Sequence, residues 1–566
     1  MLVHTDTDGF LILDHGKCDN GALMLTAGQL ITDSLIANDI DRVFCVPGES
    51  YLGLLDALYE RREAIDTVVC RHEAGAGFMA LADARLTGVP GVACVSRGPG
   101  ASNAAIAVHT AQQDGVPFLL FVGDVPARNV WRNSFQEIDY ARMYGSIAKW
   151  TAQVTHPNRM AETILRAIQV ATTGVPGPVV ISVPEDVLTA RCDAQTVTRQ
   201  APIRSVASPD DIKHLRQLLG KAQRPLVIAG SGLEAGAGRE SLLAFLESWQ
   251  LPTLVSFRRQ DLFPNQHRLY AGDMGLRNPD EQMAVLREAD LLLVLGARLS
   301  DITTQSYTYP RLVRPEMKLV HVHCDAAVIG THFAADIAMA CDPKMLIDAL
   351  VDSPEVPSGD RLAWVDRLGE ERRRISQPRC VDVDDGVEFE RVVDIVGKNL
   401  PADAIVTLDA GAFGAPAYRV IPFAPPQRLL APISGAMGFG IPAAVAAALR
   451  EPARPVFCLV GDGGFLMTGG ELAVALERNL KLKVILSENN SYGSIRMQQE
   501  REYPGRSIGT SFANPDFEMI GRAYGYNVTR INTAEQLDVL PAILESEEAE
   551  FVVVTTSVEA DMSKLS

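Results

Sequence analysis

Three things are scarce in this 566-residue chain, and each scarcity removes a class of function. Basic residues are outnumbered, 52 Lys and Arg against 70 Asp and Glu, which gives a formal net charge of −18 and an isoelectric point near 5.1. A general nucleic-acid binder needs a basic face, so no nucleic-acid partner is expected. Paired cysteine motifs are missing. Nine cysteines lie scattered at positions 18, 45, 70, 94, 192, 324, 341, 380 and 458, with no CxxC and several inside apolar runs. They read as reduced core residues of a cytoplasmic protein. Long apolar runs are missing too. No segment approaches an uninterrupted membrane span, and the first 23 residues carry Asp and His but no basic n-region. The expectation is a soluble protein with no membrane partner and a loosely ordered extension over residues 1–22.

What is present is enough apolar material, 47% of residues, to give three or four domains a core each. Short apolar runs alternate with helical patterns, the sign of parallel α/β domains. In a first block, residues 23–191, strand candidates are Val43 to Val46, Val92 to Ser96, Phe118 to Val122 and Val179 to Val183. They end in PGES, RGPG, GDVP and PED, turn chemistry that lines one sheet edge with loops. A polar linker, Cys192 to Pro209, follows. In the middle block, residues 210–350, Leu226 to Ala229 runs into Gly230-Ser231-Gly232, and Leu291 to Leu295 runs into Gly296-Ala297-Arg298. These glycines suit either a dinucleotide phosphate or a purely structural Rossmann-like domain. A charged segment from Asp352 to Asp385 closes that block. The third block, residues 386–560, opens with Ala404 to Leu408 entering Asp409-Ala410-Gly411-Ala412.

The richest stretch runs from Gly461 to Gly493. The apolar run Val456 to Val460 drives into Gly461-Asp462-Gly463-Gly464. A helical pattern with Leu472, Leu476 and Leu480 spaced by four comes next. A second apolar run, Leu482 to Leu486, enters Glu488-Asn489-Asn490-Ser491. A right-handed strand-helix-strand crossover brings both carboxyl ends to one sheet edge, so Asp462 and Asn489 converge. A carboxylate, an amide oxygen and backbone carbonyls make an oxygen-only site that suits Mg2+, with a diphosphate cradled by glycine N–H groups. The alternative is two ordinary turns flanking a core helix. Their pairing across one crossover favours the site.

Other motifs have quieter alternatives of their own. Glu73, in Arg71-His72-Glu73-Ala74-Gly75-Ala76-Gly77, opens a predicted helix, where a glutamate also complements the helix dipole. Ile433 to Pro442 (ISGAMGFGIP) reads as a Gly-rich turn with one apolar side chain, Met437, opening a helix at Pro442. Glu49, in Pro47-Gly48-Glu49-Ser50, is either a solvated turn residue or a carboxylate aimed into a cleft.

Together these motifs resemble the thiamin-diphosphate enzymes, and over nearly the whole chain the acetolactate synthase-like branch, as its large, catalytic subunit. The resemblance implies an α/β fold of three parallel-sheet domains: pyrimidine-binding, central Rossmann-like and diphosphate-binding. It implies that Glu73 protonates the cofactor's aminopyrimidine ring and that Met437 wedges beneath the bent cofactor. Mg2+ would be held by Asp462, Asn489 and the Ser491 carbonyl. Further cofactor contacts would come from Pro99, Asn103, Ala412, Phe413, Gly435, Gly463, Gly464 and Tyr492. Glu49 and Gln136, the latter in Phe135-Gln136-Glu137, join Glu73 as catalytic candidates. The implied substrate is a 2-keto acid, decarboxylated so that its acyl carbanion passes to an acceptor, with pyruvate to acetolactate leading. The active sites would lie at the subunit interface of a homodimer or homotetramer.

Three departures bear on the subfamily. Glu49 stands where the synthases have a second glycine, and Gln498 stands where they have a tryptophan. HVHCD (residues 321–325) replaces HIDID, which leaves FAD binding open. The first two favour a second reading, a non-flavin 2-keto acid decarboxylase or an acyloin lyase or carboligase for a larger substrate. A non-catalytic, cofactor-binding assembly subunit is the alternative of another class. Retention of Glu73, Asp462 and Asn489 together argues against it.

Overall fold

The computed structural model describes residues 3–5, 11–13, 24–193, 195–352 and 359–558. Apart from two short antiparallel strands, Val3–Thr5 and Leu11–Leu13, the expected N-terminal extension lies outside the described residues, and so does Cys18. The other eight cysteines are free thiols, six of them buried.

Three six-stranded sheets, each parallel throughout, form the cores. In the first the strand sequence across the sheet is Asp66–Val69, Arg42–Cys45, Gly91–Val95, Phe118–Asp124, Pro178–Pro184, Trp150–Gln153. In the last it is Arg428–Leu430, Ile405–Leu408, Val456–Gly461, Leu482–Glu488, Glu550–Thr555, Asn527–Ile531. Numbered within each domain, both sheets run 2-1-3-4-6-5. The central sheet runs 3-2-1-4-5-6, the dinucleotide-fold order, from Tyr270–Met274 through Pro225–Ala229 to Ile337–Ala340. Strands such as Phe118–Asp124 and Leu482–Glu488 are buried along their whole length, because helices cover both faces of each sheet.

The outer domains are joined through two small-residue helices, Glu73–Thr87 and Gly440–Arg450, which share one core with Phe78 set edge-on to Phe439 at 5.6 Å. His72 caps the first of these, its Nδ1 accepting the Ala74 N–H, and Gly88 ends it in the left-handed conformation. All three domains meet at a buried ion cluster. Glu234 of the central domain pairs with Arg85 at 2.7 Å and with Arg259 at 3.1 Å, while Asp261 pairs with Arg239 at 2.9 Å and Arg428 at 3.0 Å. Burial pushes the Glu234 carboxyl up, but the surrounding guanidinium groups hold it well below the usual carboxylate range.

Local readings change in three places. After Gly461 the chain is already helical, Asp462–Thr468, then passes through a tight turn to a second helix, Leu472–Glu477. In that second helix Leu472, Val474 and Ala475 are buried and Leu476 is half exposed. Cys192 belongs to a short strand paired with Leu25–Thr26, and the linker after it is laced to the first domain by Ser34 and Asn38. Within the charged segment, Gly359–Ile375 is a helix that sets Trp364, Val365 and Leu368 against the central domain.

Candidate active site at two sheet edges

In a 2-1-3-4-6-5 sheet the connections part in opposite directions beyond strands 1 and 3, and the crevice lies there. In the last domain those strands exit into Asp409 and Asp462, and in the first domain into Pro47-Gly48-Glu49 and Arg97-Gly98-Pro99.

Asp462 is only 3% exposed. Its Oδ2 accepts the N–H groups of Asn489 (2.9 Å) and Asn490 (2.7 Å) and the side-chain amide of Asn514 (2.9 Å), while Oδ1 accepts the Gly463 N–H at 2.8 Å. Asn489 Oδ1 in turn accepts the Ser491 N–H at 3.0 Å. The two ends of the crossover therefore converge on one carboxylate. Two oxygens beside it, Ser491 Oγ and Asn514 Oδ1, are buried without a hydrogen-bond partner. This hard-oxygen donor set, with acceptors to spare, fits Mg2+.

The glycines of this motif make room for side chains of the same site. A Cβ at Gly463 would stand 2.7 Å from the Tyr492 ring and 3.3 Å from the Met437 methyl, and one at Gly464 would stand 3.0 Å from the Asp409 carboxyl carbon. Phe413 fills the space beside Gly461 and Gly411 in the same way. Met437 sits between Gly435 (φ +69) and Gly438 (φ +84), backbone conformations that favour glycine. Ala412 opens the short turn that carries Phe413.

Asp409, noted in the sequence only as a strand end, holds this loop. It is fully buried, and its carboxylate accepts the N–H groups of Gly438 (3.0 Å), Gly440 (2.9 Å) and Ala410 (2.6 Å). Burial pushes its pKa up to about 6 against the pull of those donors. Glu471 was missed as well. From the last domain it accepts the N–H groups of Arg71 (3.1 Å) and His72 (2.9 Å) and packs where a Gly75 side chain would be, which fixes the start of the Glu73 helix. Burial raises its pKa to about 7. Its partners are some 400 residues away, so no local pattern could reveal it.

In the first domain, Glu73 is half-buried and its Oε2 accepts the Asn103 amide at 2.9 Å. Gly100 packs against the same carboxylate and against Ser96, and Gly48 also packs on Ser96. The loop that carries Glu49 and the turn at Gly100 thus meet at one serine, Ser96. Gln136, with φ +63, offers its carbonyl to the Gly98 N–H at 3.0 Å and so braces the turn that carries Pro99. Glu49, Pro99, Asn103, Phe135 and Trp131 are exposed along this edge. The Glu73 and Asp462 groups form separate clusters, one in each outer domain.

A crevice of about 780 Å³ opens at the switch point of the central sheet, with Gly232, Gly296, His323 and Arg239 in its wall. The acid that holds a dinucleotide's ribose stands at the end of the second strand, and here that strand ends in Ser256-Phe257-Arg258. Arg258 is committed to the Pro432 carbonyl. On the fifth strand burial holds His323 down at about 4, hence neutral, and Asp325 caps the turn after it. The end of the second strand therefore offers no acid to a dinucleotide's ribose.

Models of one family match all three domains. The N-terminal TPP binding domain of thiamine pyrophosphate enzymes matches residues 25–143, their central domain 212–350, and their C-terminal TPP binding domain 409–555. The chain is 30% identical over 556 residues to a probable acetolactate synthase large subunit of Methanocaldococcus jannaschii, covering 95% of this chain and 93% of that one. It is 31% identical over 513 residues to the acetolactate synthase isozyme 1 large subunit of Escherichia coli, covering 90% and 89%. It is 29% identical over 532 residues to the acetolactate synthase large subunit of Lactococcus lactis, covering 92% and 91%.

Proposed function

Since this chain belongs to the thiamine pyrophosphate enzymes, among carboligases and decarboxylases of the acetolactate synthase type, we propose that it uses Mg2+ and thiamin diphosphate to release CO2 from a 2-keto acid and join the remaining acyl group to an acceptor. Pyruvate as donor and acceptor, giving acetolactate, is the leading reaction. The observation that carries the proposal is the Asp462 carboxylate, drawn by Asn489 and Asn490 to the carboxyl edge of the crossover.

When bound, thiamin diphosphate supplies the electron sink for decarboxylation. The chain's own residues bind and orient it. Asp462, the Asn489 amide oxygen and the Ser491 backbone carbonyl would hold Mg2+, with Gly463 and Gly464 beside the diphosphate. Met437, whose loop is held by Asp409, would support the cofactor in its reactive shape, a matter of proximity. Ala412, Phe413, Gly435 and Tyr492 wall the cofactor. Glu73 holds a proton at the aminopyrimidine ring nitrogen, and Asn103 orients its carboxylate, with Pro99 at the ring's side. Glu49 and Gln136 face the substrate, Glu49 as a proton relay.

Because Glu73 and Asp462 belong to separate clusters, a second copy of the chain completes each site, as a homodimer or homotetramer. The exposed Trp131 (74%) and Phe135 (79%) on the Glu73 edge support this. Among the described residues no helix is long and apolar enough to cross a membrane. The buried free thiols support a reducing compartment, the cytoplasm.

A decarboxylase, or an acyloin lyase or carboligase for a larger substrate, is the second reading. It is favoured by Glu49 and by Gln498, which lies exposed beside Arg501. A non-catalytic, cofactor-binding assembly subunit would have no need of the intact Glu73–Asn103 pair. The test is Asp462→Ala: binding of thiamin diphosphate with Mg2+, followed by titration calorimetry, should be lost. Unchanged binding would contradict the proposal.

A further inference from the structure

Asn514 ends a segment stitched onto the loop after Asn489. The Tyr492 N–H donates to the Thr510 carbonyl (2.8 Å), the Phe512 N–H donates to the Asn490 carbonyl (3.0 Å), and the Tyr492 and Phe512 rings lie 4.8 Å apart. That stitching fixes the Asn514 amide against the carboxylate. With Asn514 Nδ2 at 2.9 Å, Asp462 Oδ2 takes three donors and has no room for another ligand. Oδ1 takes one donor, the adjacent Gly463 N–H, and keeps a lone pair free. The other half of the amide, Asn514 Oδ1, is buried with no donor to meet it. A buried acceptor left unpaired costs roughly 1–3 kcal/mol, so a donor belongs there. Mg2+ keeps several of its waters, and a water bound to a cation presents its hydrogens outward.

We infer that Asn514 is a positioning residue for the metal. Its Nδ2 turns Asp462 so that Oδ1 meets Mg2+, and its Oδ1 accepts a hydrogen bond from a water on the ion. The inference rests on the Mg2+–diphosphate reading of this site.

The test uses the full-length chain and measures the dissociation constant of thiamin diphosphate by calorimetry, once in EDTA and once in excess Mg2+. The ratio of the two values reports what the metal adds. Asn514→Ala and the volume-matched Asn514→Leu should each cut that ratio about tenfold or more, the range seen when groups behind a metal ligand are removed. Affinity in EDTA should stay within about twofold of wild type, since only the metal's grip is altered. Asp462→Ala serves as the control and should abolish the ratio. If Asp462→Ala abolishes it and both Asn514 variants keep the wild-type value, the inference falls and the metal reading stands. Equal weakening with and without Mg2+ in the Asn514 variants would mean that Asn514 only holds its segment, and would also overturn the inference. A ratio unchanged in all three variants would overturn both.

Discussion

Replacing Asp409 by asparagine removes a charge from a fully buried carboxylate and keeps its shape. In the folded protein burial holds this group at about 6, against roughly 3.9 in an unfolded chain. The sign follows from proton counting. Between those values the folded state binds more protons, so this group's contribution to stability is fully present below the lower pKa and is lost as pH rises through the upper one. The whole span is about two pKa units, or about 3 kcal/mol, and about 2 kcal/mol of it falls between roughly pH 4.5 and 7.5. Asparagine has no such dependence. Its NH2 must instead face one of the N–H groups of Gly438, Gly440 or Ala410, which leaves a buried donor unpaired at a pH-independent cost of roughly 1–3 kcal/mol. Calorimetric melting of cofactor-free wild type and variant, run side by side, separates the two effects. The variant should melt lower at the acid end, and its deficit should narrow by roughly 4–8 °C toward pH 7.5, taking about 2–4 °C per kcal/mol for a domain of this size. A deficit that stays constant across the range would refute the assignment of a raised pKa to Asp409.

Glu73→Gln should leave cofactor affinity within a fewfold of wild type and slow hydrogen exchange at the thiazolium C2 by roughly 10² or more, read by NMR after acid quench; exchange at the wild-type rate would remove Glu73 from proton transfer. Glu49→Gly should change the ratio of aldehyde to acyloin product from one accepted 2-keto acid without affecting cofactor binding, and chromatography showing an unchanged ratio and turnover would return Glu49 to a surface turn. In solution the active species should have at least a dimer's mass by light scattering, and a fully active monomer would contradict a site completed by a second copy.

Much of the site was legible because glycine and acidic residues punctuate the ends of apolar runs. Asp462 and Asn489 could be paired from the strand-helix-strand pattern alone, and the structure joins them through a hydrogen bond of 2.9 Å. Glu73 could be placed at a helix start because small residues follow it, and the helix does begin there. What stayed hidden depends on contacts between distant segments. Asp409 serves a loop some 30 residues on, and Glu471 serves one about 400 residues back. Asn514 sits beside Pro515 and Asp516, where the visible signal is only a cap: Asp516 accepts the Met519 N–H at the start of the helix Phe517–Ala523. Leu476 misled because the spacing of four assumes a helix that runs on to Leu480, and the helix Leu472–Glu477 stops short of it with Leu476 half exposed. The helix Gly359–Ile375 was masked by its charged residues, which outnumber the few apolar side chains that anchor it.

The proposed reaction removes CO2 from a 2-keto acid with thiamin diphosphate and Mg2+. The direct measurement supplies purified protein with a panel of 2-keto acids, pyruvate among them, and follows CO2 release with both cofactors, with each alone and with neither. The proposed activity predicts release from at least one donor only when both are present, with pyruvate giving acetolactate. Protein that binds both cofactors yet releases no CO2 from any member of the panel would contradict it.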